Sequence, residues 1–401
     1  MLRRSSRSTN KYTRYNNVQL VHGGREYFDK LLELISNARH TLHLQVYIFE
    51  ADDTGRQVAE ALQDAARRGV AVYLLTDGYA SQGLPADLIR QLRAAGVHFR
   101  FFEPLLRSSR YYFGRRLHHK VLAIDGCCCL VGGINISNKY NEGYGQPAWL
   151  DWALYAEGEV ASQVMTVCLE FWTRSPKKRR RLLARMPRPD PLPATRCHCR
   201  IRRNDWVHRR NQVTKSYLEL LRNARSELFL VSSYFLPGRL LRRQLLAAAA
   251  RGVQVNLLLA GVSDVMLAKH AERYIYRKIL RQGIRIFEYR SAILHGKMGV
   301  YDNAWATIGS YNLNNISAFA SLELNIDVMD ENFAGQLQQE LKTIIRTDCV
   351  PITEEGYRTN YGFWTRCWQR ICYELVRFLF FIFTFYFRQQ SARAGNPPKQ
   401  G

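Results

Sequence analysis

Apolar positions along the chain follow two rhythms. Residues 32–39, LELISNAR, close a stretch with apolar positions at helical spacing, and Thr41–Phe49, TLHLQVYIF, is apolar nearly throughout. That is the pattern of an amphipathic helix feeding a buried strand. A second helix ends in AARRGV at 65–70 and leads to the strand AVYLLTDG, and a third ends at Gly96 before the strand VHFRFFE. Glycine after each helix is the expected left-handed stop.

The same order then returns. LELLRNAR at 218–225 precedes a strand from Glu227, ELFLVSSYF. AAARGV at 248–253 precedes QVNLLLAG, and a helix ending at Gly283 precedes IRIFEY. The shared order, with near-identity at LEL--NAR, predicts an α/β fold made of two homologous halves, 26–173 and 195–350. Helices alternating with apolar strands predict a largely parallel sheet in each half, covered on both faces.

What flanks the halves is different in kind. Residues 1–25 read as a basic, polar N-terminal arm without the apolar core of a secretory signal. Residues 174–194 read as a basic linker rich in Pro and Arg. From Arg174 to Arg210 fourteen Lys and Arg face two Asp, which suits a solvated connector or a polyanion-binding stretch equally. Residues 351–401 form an aromatic and basic tail: Trp364, Trp368, Ile371, Leu375 and Phe378 recur at helical spacing, with Arg366, Arg370, Glu374 and Arg377 opposite, before the apolar run FLFFIFTFYF. The tail is expected to lie at a membrane interface; a helix packed on the core is the competing reading.

Composition narrows the class of partner. A net charge of +24 on 401 residues suits a polyanion, either an anionic membrane or nucleic acid. Nine cysteines at irregular spacing imply no disulfide framework and favour a reducing compartment. Cys127–Cys129 are expected to be small buried residues, and Cys197-His198-Cys199 to be strand residues rather than metal ligands.

The chemistry sits at matching points of the repeat. The first half carries His118-x-Lys120-x4-Asp125 followed by Gly132-Gly133-x-Asn135, and the second carries His295-x-Lys297-x4-Asp302 followed by Gly309-Ser310-x-Asn312. Residues i and i+2 of a strand share a face, so each motif presents an imidazole beside an ammonium. A ring nitrogen can attack phosphorus or carry a proton, and a lysine can hold the non-bridging oxygens. Downstream carboxylates follow at Asp151 and Glu323.

The twin motif with its trailing glycine turn and Asn resembles the phospholipase D superfamily. FEADDTG, TDGYAS, SSYFLPG, IFEYR and WATIGSYNL extend the likeness over about 18–350, toward bacterial cardiolipin synthases of the B type. The resemblance implies that the halves pack about a pseudo-twofold axis and that both His-Lys pairs serve one site. It implies a phosphohistidine mechanism with His118 as nucleophile and His295 as acid and base. Lys120, Lys297, Asn135, Asn312 and Ser310 would hold the phosphate. Asp151 and Glu323 would orient the imidazoles, and Asp125 and Asp302, as part of the signature, are placed with the catalytic residues, mainly as structural supports. No metal or cofactor is implied, because the lysines supply the charge. The implied reaction is transfer of a phosphatidyl group between two phosphatidylglycerols, with phosphatidylethanolamine as a close variant. The alternative is hydrolysis by a phospholipase D or a nuclease; nucleic acid is the less expected partner. The expected location is the cytoplasmic face of the inner membrane, as a peripheral protein.

Overall fold

The computed structural model describes residues 11–104, 115–173, 175–184, 193–208, 210–314 and 321–394, with side chains through Leu379. The first half runs β1 (Asn16–His22), α1 (Arg25–Asn37), β2 (Thr41–Val46), α2 (Asp53–Arg67), β3 (Ala71–Asp77), α3 (Ala86–Ala94), β4 (His98–Phe102), β5 (Arg116–Leu117), β6 (Lys120–Ile124), β7 (Cys128–Gly132), β8 (Trp152–Gly158) and α4 (Glu159–Trp172). A short exposed helix, α5 (Pro176–Ala184), occupies the linker.

The second half runs β9 (His198–Asp205), β10 (Arg210–Asn211), α6 (Gln212–Asn223), β11 (Glu227–Ser232), α7 (Arg239–Ala250), β12 (Gln254–Ala260), α8 (Met266–Leu280), β13 (Arg285–Tyr289), β14 (Met298–Tyr301), β15 (Trp305–Gly309), β16 (Ser321–Met329) and α9 (Glu331–Asp348). The chain closes with β17 (Cys349–Ile352), α10 (Glu354–Asn360) and α11 (Phe363–Ala394).

The repeat is exact in topology. The first sheet has the order β1-β8-β7-β6-β2-β3-β4, and β9-β16-β15-β14-β11-β12-β13 reproduces it term by term in the second. The helices form where the sequence places them because their apolar positions share one face. In α1 these are Tyr27, Phe28, Leu31, Leu34 and Ile35; in α6 they are Val213, Tyr217, Leu220 and Leu221. Gly69 and Gly252, one at the same point of each half, carry the positive φ that lets the chain leave the helix and enter the next strand.

Several sequence expectations change here. The sheets are mixed, not largely parallel: β2, β3 and β4 run parallel, whereas β2-β6-β7-β8-β1 is antiparallel throughout. The short Asp125–Cys127 turn joining β6 to β7 permits only an antiparallel pair. That turn also exposes Cys127, while Cys128 and Cys129 are buried as expected.

The arm and the tail also overlap the halves. Asn16–His22, inside the 1–25 arm, is an edge strand on β8, and its polar residues alternate outward as an edge permits. Cys349–Ile352 crosses the 350/351 boundary and pairs with β13. Part of the basic 174–210 stretch is not available to a polyanion. Arg200 and Arg202 bind Asp327 and Glu219, and Arg203 binds Glu170.

The inner faces of the two sheets share one core with α4 and α9. Val121, Val131 and Leu154 meet Val231, Met298 and Ile308 there, beside Val164 and Leu337. The shared core brings the two motif segments face to face. The outer faces are covered separately, by α1 and α2 in one half and by α6, α7 and α8 in the other.

Candidate active site

Each motif histidine is docked on the other half. The His118 amide donates to Leu322 O at 3.1 Å, and β5 pairs in parallel with the start of β16. The His295 amide donates to Leu150 O at 2.7 Å, beside a bridge between Leu150 and Leu294. Leu322 precedes Glu323 and Leu150 precedes Asp151, so the carboxylates reach across the twofold. His118 Nδ1 lies 2.9 Å from Glu323 Oε1, and His295 Nδ1 lies 2.6 Å from Asp151 Oδ2. That leaves the other nitrogen, Nε2, of each ring outside the His–carboxylate pair.

The i, i+2 logic holds on both sides. Lys120 Nζ donates to His118 O at 2.5 Å, while the intervening His119 turns away and bonds Gln45. Lys297 Nζ donates to His295 O and reaches Ser233 Oγ at 3.2 Å. The intervening residue differs for a packing reason. A Cβ at Gly296 would fall less than 3.0 Å from the Trp152 ring, so the large residue after Asp151 requires the small one beside His295.

The four motif side chains form one electrostatic unit. Burial lowers the Lys120 pKa to about 7, helped by Lys297, and lowers that of Lys297 to about 8. Burial, Lys297, Lys120 and His118 hold His295 well below its ordinary value.

The two carboxylates depart in opposite directions. Burial alone would raise Glu323, but His118, Lys120 and the Ser310 hydroxyl outweigh it and keep the group ionised. Burial dominates at Asp151 and pushes it up to about 7 despite Lys297. No hydroxyl opposes it, because Gly133 stands where Ser310 stands in the other half. A Cβ at Gly133 would lie less than 3.0 Å from both Asp151 carboxylate oxygens.

Not every motif residue reaches the site. Asp125 sits at the far end of β6 and accepts from the amides of Arg39, His40 and Thr41 at 2.6–2.9 Å. Asp302 does the same for Arg225, Ser226 and Glu227. Five residue steps along β6 or β14 separate each from its lysine by roughly 15 Å. Their placement with the catalytic residues is therefore corrected: both carry positive φ and lock the turn between the NAR segment and the strand after it, β2 in one half and β11 in the other.

The two asparagines also differ. Asn135 Oδ1 accepts from Ile48 N and its Nδ2 donates to Tyr140 Oη at 2.9 Å, so its amide is engaged within the protein. Asn312 Oδ1 is buried and has no hydrogen-bond partner among the described residues.

Tyr140 has no sequence signal. Its hydroxyl lies 3.5 Å from His295 Nε2, and its ring packs 5.1 Å from the imidazole beside Trp149. Ser317 stands at the matching spacing in the second half, outside the described residues, so comparing the repeats would not have found Tyr140. Tyr47 is a second such case, packed 4.9 Å from the His118 ring with Lys120 over its face. Among the described residues no group of three His, Cys, Asp or Glu is arranged to hold a metal ion, and Cys197, just before β9, and Cys199, within it, are buried thiols.

Known proteins share this arrangement. Residues 31–145 and 217–345 match the family described as cardiolipin synthase, PLD-like domain. Cardiolipin synthase B of Escherichia coli O6:H1 is 33% identical over 341 residues, covering 84% of this chain and 83% of that protein. Cardiolipin synthase A of Pseudomonas putida is 28% identical, over 81% of this chain and 67% of its own. The crystal structure of phosphatidylserine synthase from Haemophilus influenzae superposes with a TM-score of 0.69 at 15% identity, covering 94% of this chain and 97% of that one. With the family matched in both halves and a third of the residues shared across most of the chain, the protein belongs to the phospholipase D-like cardiolipin synthase family.

Proposed function

We propose that the chain transfers a phosphatidyl group from one phosphatidylglycerol to another, giving cardiolipin and glycerol, through a phosphohistidine on His118. Family membership makes it a phosphatidyltransferase. The observation that carries the division of labour is the contrast between the two crossed His–carboxylate pairs.

Glu323 is ionised and accepts a hydrogen bond from Nδ1–H of His118, which fixes the tautomer and leaves an Nε2 lone pair to attack phosphorus. His118 is also the more open ring, with 18% of its side chain accessible against 9% for His295. In the first step the Nε2–P bond forms and the P–O bond to the glycerol headgroup breaks. The His295–Asp151 pair delivers the proton to the departing oxygen. In the second step the same pair takes the proton of the incoming hydroxyl, whose oxygen displaces His118 from phosphorus. A carboxyl near pKa 7 beside an imidazole suits this two-way traffic. Lys120, Lys297 and Asn312 hold the non-bridging oxygens. One phosphodiester replaces another, so no activated donor enters.

Phosphatidylglycerol as donor and acceptor, with phosphatidylethanolamine as the close variant, and the cytoplasmic face of the inner membrane complete the reading. Nine unpaired cysteines suit that reducing side. The test incubates purified protein with phosphatidylglycerol vesicles and reads products by mass spectrometry beside His118→Ala. Cardiolipin and glycerol, absent from the variant, are expected. Phosphatidic acid alone would move the protein to the hydrolases, and turnover of DNA in place of lipid would move it to the nucleases.

A further inference from the structure

The tail helix α11 presents three faces, each with different chemistry. At about 100° per residue, Trp364, Trp368, Ile371, Leu375 and Phe378 fall within about 80° of arc. Gln369, Cys372 and Val376 fall about a third of a turn away and are buried. Arg366, Arg370 and Arg377 fill the remaining third. The buried face is satisfied by α8: Cys372 and Val376 pack with Ala271 and Leu267, and Tyr373 meets Tyr274 at 4.9 Å. The apolar stripe is covered by nothing among the described residues. Trp364 is 81% exposed and Phe378 is 59% exposed.

The direction of the helix gives the stripe its meaning. Arg281 pairs with Glu354, Arg273 lies over Tyr361, Tyr274 meets Tyr373, and Leu267 packs beside Val376. Helix α11 therefore runs antiparallel to α8, from the sheet edge toward the α8 N-terminus, and passes Met266 about two turns beyond Tyr373. The α8 N-terminus is at the mouth of the active site: Lys297 Nζ bonds Ser233 Oγ, and the adjacent Tyr234 hydroxyl donates to Asp264 at 2.5 Å. Around Asp264 a second group of apolar side chains is exposed, Val262, Val265 and Met266. No helix among the described residues is long and apolar enough to cross a membrane.

We propose that the α11 stripe and the Val262–Val265–Met266 rim form one docking surface for an anionic lipid bilayer, which seats the mouth of the active site against the membrane. Tryptophans and aliphatic side chains enter the headgroup boundary, and the arginine face meets the anionic headgroups beside it. The rim couples docking to catalysis: it shares the segment between β12 and α8 with Asp264, so a lipid headgroup entering past Met266 arrives next to Tyr234 and Lys297. This rests on the phosphatidyl-transfer reading only for the reason a bilayer is needed; binding itself requires no turnover.

The test uses full-length protein carrying His118→Ala, floated with phosphatidylcholine vesicles with and without phosphatidylglycerol. The parent is expected to bind and to prefer phosphatidylglycerol. Trp364→Ser/Trp368→Ser/Ile371→Ser and Val262→Ser/Val265→Ser/Met266→Ser should each lower the bound fraction at least about tenfold. Arg366→Gln/Arg370→Gln/Arg377→Gln should remove the lipid preference. In the otherwise wild-type chain, the stripe triple should keep its activity on a short-chain, monomeric phosphatidylglycerol, which shows that the fold is intact. Vesicle binding unchanged in either apolar triple overturns the proposal. So does a stripe variant that turns a dimer into a monomer in sedimentation while still binding vesicles, since the stripe would then be a contact between two copies. Vesicle binding without phosphatidyl transfer by the wild type would defeat the functional reading and leave the docking surface standing.

Discussion

The two halves of the active site share a skeleton and differ in charge. Around His118 stand Glu323, Ser310 and Lys120, and the carboxylate is ionised with a hydroxyl donating to it. Around His295 stand Asp151, Gly133, Lys297 and Tyr140, and burial raises the carboxyl pKa to about 7 with no hydroxyl donating to it among the described residues. The strand order, the docking of each histidine on the other half and the His–Lys spacing are common to both. The lesson is that duplication supplies geometry, and small local departures from symmetry then separate a nucleophile from a proton carrier. Two hydroxyls, of Ser310 and Ser321, donate to Glu323, and the exclusion of the first at Gly133 is the simplest of those departures.

The sharpest way to break this contrast is to remove one ring at a time. His118→Ala and His295→Ala should each lower transfer by about 1,000-fold or more. Only the His295→Ala protein should gain the mass of a phosphatidyl group on incubation with substrate, read on the intact chain. The adduct on the His118→Ala chain instead would reverse the roles.

The carboxylates come next. Glu323→Gln should cost transfer about 100-fold or more, because it strips the negative partner from the attacking ring. Asp151→Asn removes a carboxyl whose pKa burial already raises to about 7, and should cost nearer tenfold. Equal losses, measured as kcat/KM, would erase the distinction between the pairs.

Imposing the missing hydroxyl tests its exclusion. Gly133→Ser places atoms into the Asp151 carboxylate and should disturb the His295 pair, lowering kcat by roughly 10- to 100-fold, whereas Ser310→Gly should lower it by less than tenfold. The expected order of the two variants is the readout.

The lysines set the alkaline limb. Lys120 and Lys297 bind phosphate when protonated, and their pKa values are lowered to about 7 and about 8. Raising pH through this window removes the clamp from the free enzyme, so kcat/KM should fall by up to about tenfold per pH unit. Lys297→Arg keeps its charge and should lower the plateau while moving the upper part of the limb to higher pH.

The smallest effect is expected at Tyr140. Tyr140→Phe removes the hydroxyl between Asn135 Nδ2 and His295 Nε2. A loss of about three- to tenfold in kcat with unchanged KM is expected, together with a shift of the His295 titration followed by NMR. An unchanged titration would leave Tyr140 with packing alone.

Much of this was legible in the sequence. The repeat of LELISNAR and LELLRNAR announced two halves because the NAR turn must meet the motif Asp, and both copies kept that contact. The i, i+2 spacing of His118 and Lys120 announced an imidazole beside an ammonium, although His118 lies just before β6 and is held by its bond to Leu322. Asp125 and Asp302 travelled with the motif and looked catalytic, although their work is at the opposite end of the strand. The β1 strand was hidden because an edge strand tolerates polar residues on one face, and the antiparallel half of each sheet because helix–strand alternation accounts for only three of its strands.

The amino-acid sequence by itself determined the duplicated α/β skeleton, the two His-Lys pairs, and a tail with apolar and basic sides, since each of these follows from spacing along a helix or strand. Only the tertiary structure decided that Glu323 serves His118 and Asp151 serves His295, that Tyr140 reaches His295, and that the tail stripe leads to the mouth of the site. Those contacts join residues far apart in the chain. Their partners and their charge states are set by burial between two packed halves, which no local pattern encodes.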